Sequence, residues 1–539
     1  ALPLALAFGV SSGLGPQAGL YGAIFISFFA ALFGGTNTQI SGPTAPMTAV
    51  SMVVIAGILA TFEGDVEKAL PAILTVFLLA GLMQVGLGFL GLGKYIKYIP
   101  YPVVSGFMTA IGVIILITQI LPSVGYYPKE DLKFVEQFKP AAEEVILENI
   151  LIDEVDEGIL VLENFEETIK RGKNVSQEQI MVESKTLAGK EASGVLGTIK
   201  VLPYALNNIN WLELILALGT ILIIYGFKRI TKAVPSTLVA LFVMSGIAIG
   251  FGLDYRPIEE IPSGLPIPKL GMFTDFSFAS ITPYIFTALT LALLGAIDSL
   301  LTSVVADNMT KTKHKPNKEL IGQGIGNSIA ALFGGIPGAG ATIRTVVNIN
   351  AGGKTRLSGM IAGILLLIIL LALGPVASKI PAAVLAGILI TVGIGVMDYK
   401  GLKAIPYMPK QEVAIMLVVL VLSSVWNLVY AVGIGLVIAS LIFMKKIGDI
   451  SASRSDVKSL KEEAWDDEFE IPDILQEQIF IKHVKGPLFF GSTSDFQALA
   501  KQIPENATIV LVRMGRMPYM DQSGLYVMEE VLIDLVNEG

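Results

Sequence analysis

Long apolar runs separated by short polar ones dominate this sequence. Taking about 20 apolar residues as one crossing of a bilayer, the pattern predicts helical segments near 1–13, 17–34, 44–61, 70–92, 101–121, 211–227, 234–253, 283–306, 319–334, 342–351, 357–377, 381–397, 411–427 and 428–444. That makes about fourteen spans, several of them short. Two of the runs are interrupted in the same way. AALFGGTNTQISGPT at 30–44 breaks at Gly34 and Gly35 and restarts after Pro43, while AALFGG returns at 330–335, breaks into IPGAGAT and restarts as IRTVVNINAG. Non-helical backbone inside a membrane leaves N–H and C=O groups unpaired at several kcal/mol each, so it persists only where protein, water or a bound solute satisfies them. Paired interruptions at matching positions of two halves point to a solute-binding site.

A second echo supports the repeat: IPYPVVSG at 99–106 parallels IPAAVLAG at 380–387, and Gly112 falls in step with Gly393. By the span count each pair lies an odd number of crossings apart, so the halves run with opposite topology. The expected fold is a polytopic all-α membrane protein, a seven-plus-seven inverted repeat with both breaks near the bilayer midplane. Lys94 and Lys97, Lys228 to Lys232, Lys311 to Lys318, Lys354 and Arg356, Lys400 and Lys403, and Lys445 and Lys446 fall in every second loop. Basic loops mark the cytoplasmic side.

Polar stretches divide the chain further. The loop at about 124–207 is expected to face outward, since it carries 16 acidic and 9 basic residues between Lys129 and Lys200. Its stretches EEVILENILIDEV and GILVLENFEETIK read as strands or an amphipathic helix, in a small exoplasmic lobe or a solvated acidic loop, with a partner- or cation-binding lobe as the alternative. The transport-type domain is expected over 1–446, a charged linker over 447–475, and a small cytoplasmic α/β domain over 476–539. There QIFIKHV and ATIVLVRM have strand character, and DFQALAKQI and GLYVMEEVLIDLV have helical spacing. Both termini are expected to be truncated, because each stops inside a periodic segment.

Composition narrows the chemistry. With 53% hydrophobic and only 16% charged residues, the chain has more apolar length than a soluble core could use. It lacks cysteine, which excludes disulfides, thiolate metal sites and thiol nucleophiles. The two histidines, His314 and His483, lie in separate polar flanks and form no cluster, so neither a His-based metal centre nor a catalytic site is expected. No cofactor and no nucleic-acid partner is expected.

Candidate site residues cluster at the breaks. Helix N-termini offer unpaired N–H groups and roughly half a positive charge each, so two of them suit an anion held away from water. Pro43 fits a first helical turn, Gly42 and Gly340 permit close approach, and the Thr44 and Thr342 hydroxyls add donors. Capping in packed protein is the alternative role for these threonines. Asp298 interrupts the run TALTLALLGAIDSLLTSVVAD, and a carboxylate near mid-span costs about 2.5 to 3.5 kcal/mol, which makes it a functional candidate. Thr302 lies one turn later on its face, with Ser299 and Ser303 beside them. Carboxylate, hydroxyl and carbonyl oxygens are what a hard cation such as sodium takes. Proton carriage, or pairing with Arg344, is the competing role. Arg344 adds positive potential or snorkels to an aqueous cleft, and Trp211 and Trp426 suit interfacial anchors.

The strings FGGTNTQISGPTAPM, IPYPVVSGF, HKPNKELIGQGIGN, FGGIPGAGATIRTVVNINAGGKTRLSG and IPAAVLAGILITVG resemble the sulfate permease (SulP) family of inorganic anion transporters over nearly the whole chain. GPLFFGS followed by MDQSGLYVMEEVL looks like the STAS domain of that family. The resemblance implies fourteen spans in a core domain (spans one to four and eight to eleven) and a gate domain, an elevator-like shift of the core, and a homodimer. It places the anion at Thr44, Ala45, Gly340, Ala341 and Thr342, with Phe8 in the same set, and the coupling cation at Asp298, Thr302, Gly340 and Thr342. Asp298 with Thr302 and PGAGAT looks most like the BicA type of cyanobacterial sodium-dependent bicarbonate transporters; the long acidic loop departs from that type. Ser523 matches a position phosphorylated in bacterial STAS regulators, or else serves the turn and helix cap. The expectation is secondary active transport of a small oxyanion, bicarbonate ahead of sulfate, with sodium or a proton as co-substrate, in the plasma membrane of a bacterium with STAS partners in the cytoplasm. The rivals are proton-coupled sulfate transport and a non-transporting anion sensor or scaffold. An enzymatic role is expected only through a partner such as carbonic anhydrase.

Overall fold

The computed structural model describes residues 1–62, 65–98, 100–146, 176–231, 234–261, 264–273, 282, 284–426, 428–454, 456–459, 478–485, 487–488, 496, 503 and 507–537. They form two units. The first holds Ala1–Met408 and Met416–Val432, the second Pro409–Ile415 and Gly433–Gly539.

In the first unit the chain runs through α1 (Leu2–Ser12), α2 (Gly15–Phe33), the two-residue strand β1 (Ser41–Gly42), α3 (Ala45–Thr61), α4 (Val66–Phe89) and α5 (Tyr101–Thr118). Two helices of the acidic loop follow, α6 (Gln177–Glu191) and α7 (Gly194–Asn207), then α8 (Trp211–Ile230) and α9 (Ser236–Gly250). The second half holds α10 (Ile285–Thr310), α11 (Pro316–Leu332), β2 (Ala339–Gly340), α12 (Thr342–Asn350), α13 (Leu357–Ala377) and α14 (Ala382–Val396). Caps explain several starts. Asp65 accepts from the N–H groups of Glu67 and Lys68 to open α4, and Asn210 does the same for α8. Proline in the first turn opens α1, α2, α3, α5 and α11.

Among the described residues six helices are long and apolar enough to cross a membrane, and a seventh if Ala382–Val396 is joined to Tyr399–Tyr407 across a 43° bend. Four shorter apolar helices accompany them. This is fewer than the expected fourteen, for a geometric reason: a nine-residue helix such as α12 rises about 14 Å, half of a hydrocarbon core. The chain is a mostly helical membrane protein all the same.

The two interruptions meet. β1 and β2 pair antiparallel, Ser41 opposite Gly340 and Gly42 opposite Ala339, so the backbone groups freed by each break satisfy the other's. Two glycines make this contact possible. A side chain on Gly338 would collide with the Gly42 carbonyl, and Gly42, at φ +144°, has the Arg344 guanidinium where a Cβ would stand. The second echo meets as well, since Gly112 on α5 and Gly393 on α14 each face the other's carbonyl.

Most of the stretches expected as strands or helix within 143–170 lie outside the described residues. What is described of that loop is a helical lobe with its own core of Tyr126, Phe134, Val135, Ala188, Val201 and Ala205. In it Phe134 meets Phe138 and Tyr204 edge to face.

The second unit holds α15 (Lys410–Val425) in part, α16 (Leu428–Arg454) in the main, strands β3 (Asp456–Ser459), β4 (Ile479–Lys485) and β5 (Ile509–Arg516), and α17 (Gln522–Asn537). β4 pairs parallel with β5 and antiparallel with β3. The linker expected at 447–475 is therefore shorter than its composition implies: α16 runs to Arg454, and Asp456–Ser459 joins the sheet. An edge strand as polar as DVKS reads as linker because only one of its edges is paired. DFQALAKQI lies almost wholly outside the described residues. Ser523 stands in the first turn of α17, where Asp521 accepts from the Gly524 N–H.

Candidate functional site

The meeting of the two breaks leaves a cavity of about 170 Å3. Phe8, Thr44, Ala45, Asp298, Gly340, Ala341, Thr342 and Arg344 all line it, so every candidate proposed for anion contact or electrostatics reaches one space. Thr302 stands behind the wall, fully buried, with its Oγ1 2.8 Å from the Gly340 carbonyl oxygen and 2.7 Å from Thr342 Oγ1. Ser523 belongs to the second unit and to no described part of this cavity.

Both half helices bring their N-termini here. α12 begins its own bonding with Thr345 N–H to the Ala341 carbonyl, which leaves the N–H groups of Thr342, Ile343 and Arg344 outside the helix ladder. α3 begins with Thr48 N–H to Thr44, leaving Ala45 and Met47, since Pro46 has no N–H. Five N–H groups outside the helix ladders and two positive dipole ends thus lie at the cavity, four of the five on residues that line it.

The charged residues stay apart. Asp298, 7% exposed, accepts from Thr44 Oγ1 at 2.8 Å, and among the described residues no ion pair joins it to Arg344. Arg344, 9% exposed, donates from Nη2 to the Pro43 carbonyl at 2.7 Å, while its Nε and Nη1 have no partner. A buried guanidinium with two unpaired nitrogens at a cavity wall, beside helix N-termini, makes the space favourable to negative charge. Asp298 is a buried carboxylate whose one hydrogen-bond partner among the described residues is the Thr44 hydroxyl.

Several residues that hold this geometry escaped the sequence reading. Glu319 on α11 accepts the N–H groups of Gly35 and Thr36 at 2.7 and 2.8 Å and the amides of Gln39 and Gln323 at 2.9 and 2.8 Å. Asn327 holds both backbone groups of one residue, accepting from Gly338 N–H at 2.8 Å and donating to the Gly338 carbonyl at 3.0 Å. Ser299 accepts from Gly340 N–H at 3.1 Å, and Gln323 donates to Ser41 Oγ at 2.6 Å. The signal for these was present. Glu319, Gln323 and Asn327 recur every fourth residue along α11, which places them on one face.

A helical membrane protein in which two broken helices point their N-termini, a lone arginine and a lone carboxylate into one cavity is built to carry ions rather than to catalyse a reaction. Residues 1–145 and 172–419 match the sulfate permease family, and the chain belongs to it. It is an anion transport protein and not an enzyme. It is similar to the bicarbonate transporters BicA of Picosynechococcus sp. (35% identical over 556 residues, all of this chain and 85% of that one) and of Synechocystis sp. (37% over 551 residues, all of this chain and 84% of that one). Its fold resembles the solved transmembrane domain of a cyanobacterial bicarbonate transporter BicA, at 40% identity and a TM-score of 0.62 over 81% of this chain and 93% of that one.

Proposed function

We propose that this chain is a sodium-coupled symporter of a small inorganic oxyanion, with bicarbonate the first candidate. The observation that carries the reading is the pairing in one cavity of an anion-favouring half, the two helix N-termini with Arg344, and a cation-favouring half at Asp298. The oxygens of Asp298, Thr302, Thr342 and the Gly340 carbonyl form the donor set a sodium ion requires. Sodium at Asp298 neutralises the buried carboxylate, and the anion then enters a site whose net potential is positive. Each ion raises the affinity of the other, which is the thermodynamic content of coupled transport.

Carriage follows from the same parts. Glu319, Asn327, Ser299 and Gln323 tie α10, α11 and both breaks into one block, so the site moves as a body. In this reading the seven-plus-seven repeat supplies a core of spans one to four and eight to eleven that shifts, elevator-like, against a gate built of the rest. The acidic lobe faces outward, the C-terminal unit works as a STAS domain in the cytoplasm and meets its partners there, and two chains form the dimer in a bacterial plasma membrane. Uptake of labelled bicarbonate and of sulfate into proteoliposomes, with and without a sodium gradient, tests the proposal; sodium-independent uptake would sink the coupling.

Proton-coupled sulfate transport is the second reading, favoured by one feature: a buried carboxylate whose partner is a hydroxyl is also a proton site. Uptake that follows a pH gradient and ignores replacement of sodium by choline would select it. Binding without uptake would select the sensor or scaffold.

A further inference from the structure

A second cavity, of about 400 Å3, lies on the lobe side of the first unit. It is in line with the site. Ser11, Met52, Thr118 and Leu389 on its wall also line a space of about 10 Å3, and Phe8 and Ala45 on that small space line the site cavity in turn. A space of that size holds about one water molecule, and the shared wall residues set the three in a row with the small one between. Hydroxyls accompany it: Ser11 accepts from Gln119 Nε2 at 3.2 Å, and Thr48 Oγ1 at the narrow point has no partner.

Arg256 is the one basic side chain on the wall of the large cavity among the described residues, and Glu259, lying against Gly15, is the one acidic side chain. The backbone of Arg256 is fixed without its side chain. Its N–H donates to Glu213 Oε1 at 2.7 Å, and its carbonyl accepts from Ala382 N–H at 2.9 Å. The guanidinium lies 3.7 Å above the Tyr127 ring, and its Nη1 pairs with Glu130 Oε1; both residues come from the start of the lobe. Burial pushes the Tyr127 hydroxyl up to about 12, so the tyrosine stays neutral; Glu130 pairs with the guanidinium itself, while the Glu213 carboxylate takes the Arg256 N–H. The pair is accessible, with side-chain exposures of 42% for Arg256 and 61% for Glu130, and an exposed ion pair is weak enough to exchange. Once Glu130 leaves, the cavity wall carries one basic and one acidic side chain, Arg256 and Glu259, and the guanidinium fork is open to an oxyanion. A carboxylate and a planar oxyanion present the same pair of oxygens to that fork.

We propose that Arg256 is an entry site for small oxyanions at the mouth of the lobe-side cavity, where the Glu130 carboxylate holds the guanidinium until an incoming anion displaces it. This rests on the transport reading above and on its placing the lobe outside. The lobe thereby sets which anions reach the constriction, and how readily.

The test is initial uptake of bicarbonate and of sulfate by the full chain in proteoliposomes, across a range of anion concentrations and at two ionic strengths. Arg256→Gln should raise the half-saturating anion concentration about five- to tenfold while the maximal rate stays within about twofold. Arg256→Lys should recover part of the loss, and the difference from the parent should shrink at high salt. Glu130→Gln should lower half-saturation, because the competing carboxylate is gone. Since the chain has no cysteine, Ser11→Cys carries the sole thiol. A membrane-impermeant thiol reagent added from the lobe side should block its uptake, and bicarbonate should slow that block. Unchanged half-saturation in both Arg256→Gln and Glu130→Gln, or a fall in maximal rate alone, overturns the entry site. Parent protein that takes up neither anion overturns the transport reading instead.

Discussion

The first and second breaks share a sequence but not a job. At the first, a side chain does the work: Thr44 gives its hydroxyl to Asp298, and the segment from Gly35 to Gln39 is held by the Glu319 carboxylate. At the second, the backbone takes the larger part: the Gly340 carbonyl takes the Thr302 hydroxyl, Gly340 N–H goes to Ser299 and Asn327 grips Gly338, while the Thr342 hydroxyl also meets Thr302. Their helices differ too. α3 is 17 residues long, whereas α12 has nine and carries Arg344. A duplicated motif thus diverges by where its oxygens come from, and Asp298 reads the hydroxyl of one break while its neighbours Ser299 and Thr302 read the peptide of the other.

Removing the charge that links the breaks should have the largest effect. Asp298→Asn keeps shape and most hydrogen bonding, so the protein should insert and fold while the sodium dependence of uptake disappears; Asp298→Glu should weaken coupling without erasing it. A sodium-dependent Asp298→Asn protein would refute the coupling role. Next comes bulk at the second break. Ala341→Leu should abolish anion binding by filling the space in front of α12, measured by titration calorimetry with bicarbonate, and normal affinity would move the site elsewhere.

Single hydroxyls rank third. Thr342→Val removes a hydroxyl that also meets Thr302, so it should weaken both ions, the anion by about 1 to 3 kcal/mol, or about five- to 150-fold in affinity. Thr44→Val should instead act mainly on the cation, because its hydroxyl already belongs to Asp298. Equal effects of the two on half-saturation for both ions would erase the asymmetry between the breaks. Asn327→Leu, which strips both Gly338 groups of their partner, should cost about 1 to 3 kcal/mol for each buried group left unmade, read as a lower melting temperature. The smallest effect is expected outside this unit: ending the chain after Arg454 should leave anion affinity within a few fold, and loss of binding in a monodisperse truncated protein would contradict that.

Much of this was legible in the residues themselves. The apolar runs, both interruptions, their echo and the lone acid Asp298 are local signals, because a membrane makes hydropathy and unpaired backbone decisive along the chain. The family strings carry Thr44, Ala45, Gly340, Ala341 and Thr342, and the resemblance adds Phe8 from outside them. The number of full-length spans was less legible, since a run of apolar residues does not say how much of it is helix. Nor could composition recognise the edge strand Asp456–Ser459, whose pairing partner lies beyond it in the chain.

Distance in sequence marks the remainder. That Thr44 reaches Asp298, 254 positions on, and not the cavity alone, depends on how α3 and α10 pack. The grips of Glu319 on Gly35 and of Asn327 on Gly338 join segments whose periodicity shows a polar face but not its target. Arg256 had no signal at all, standing in an irregular segment until the lobe placed Tyr127 and Glu130 against it. Local chemistry, read from one stretch at a time, decided what kind of groups are present and where the helices must break. Which oxygen meets which donor was decided only by packing, because a hydrogen bond depends on separations of a few ångströms that connectivity along the chain does not encode.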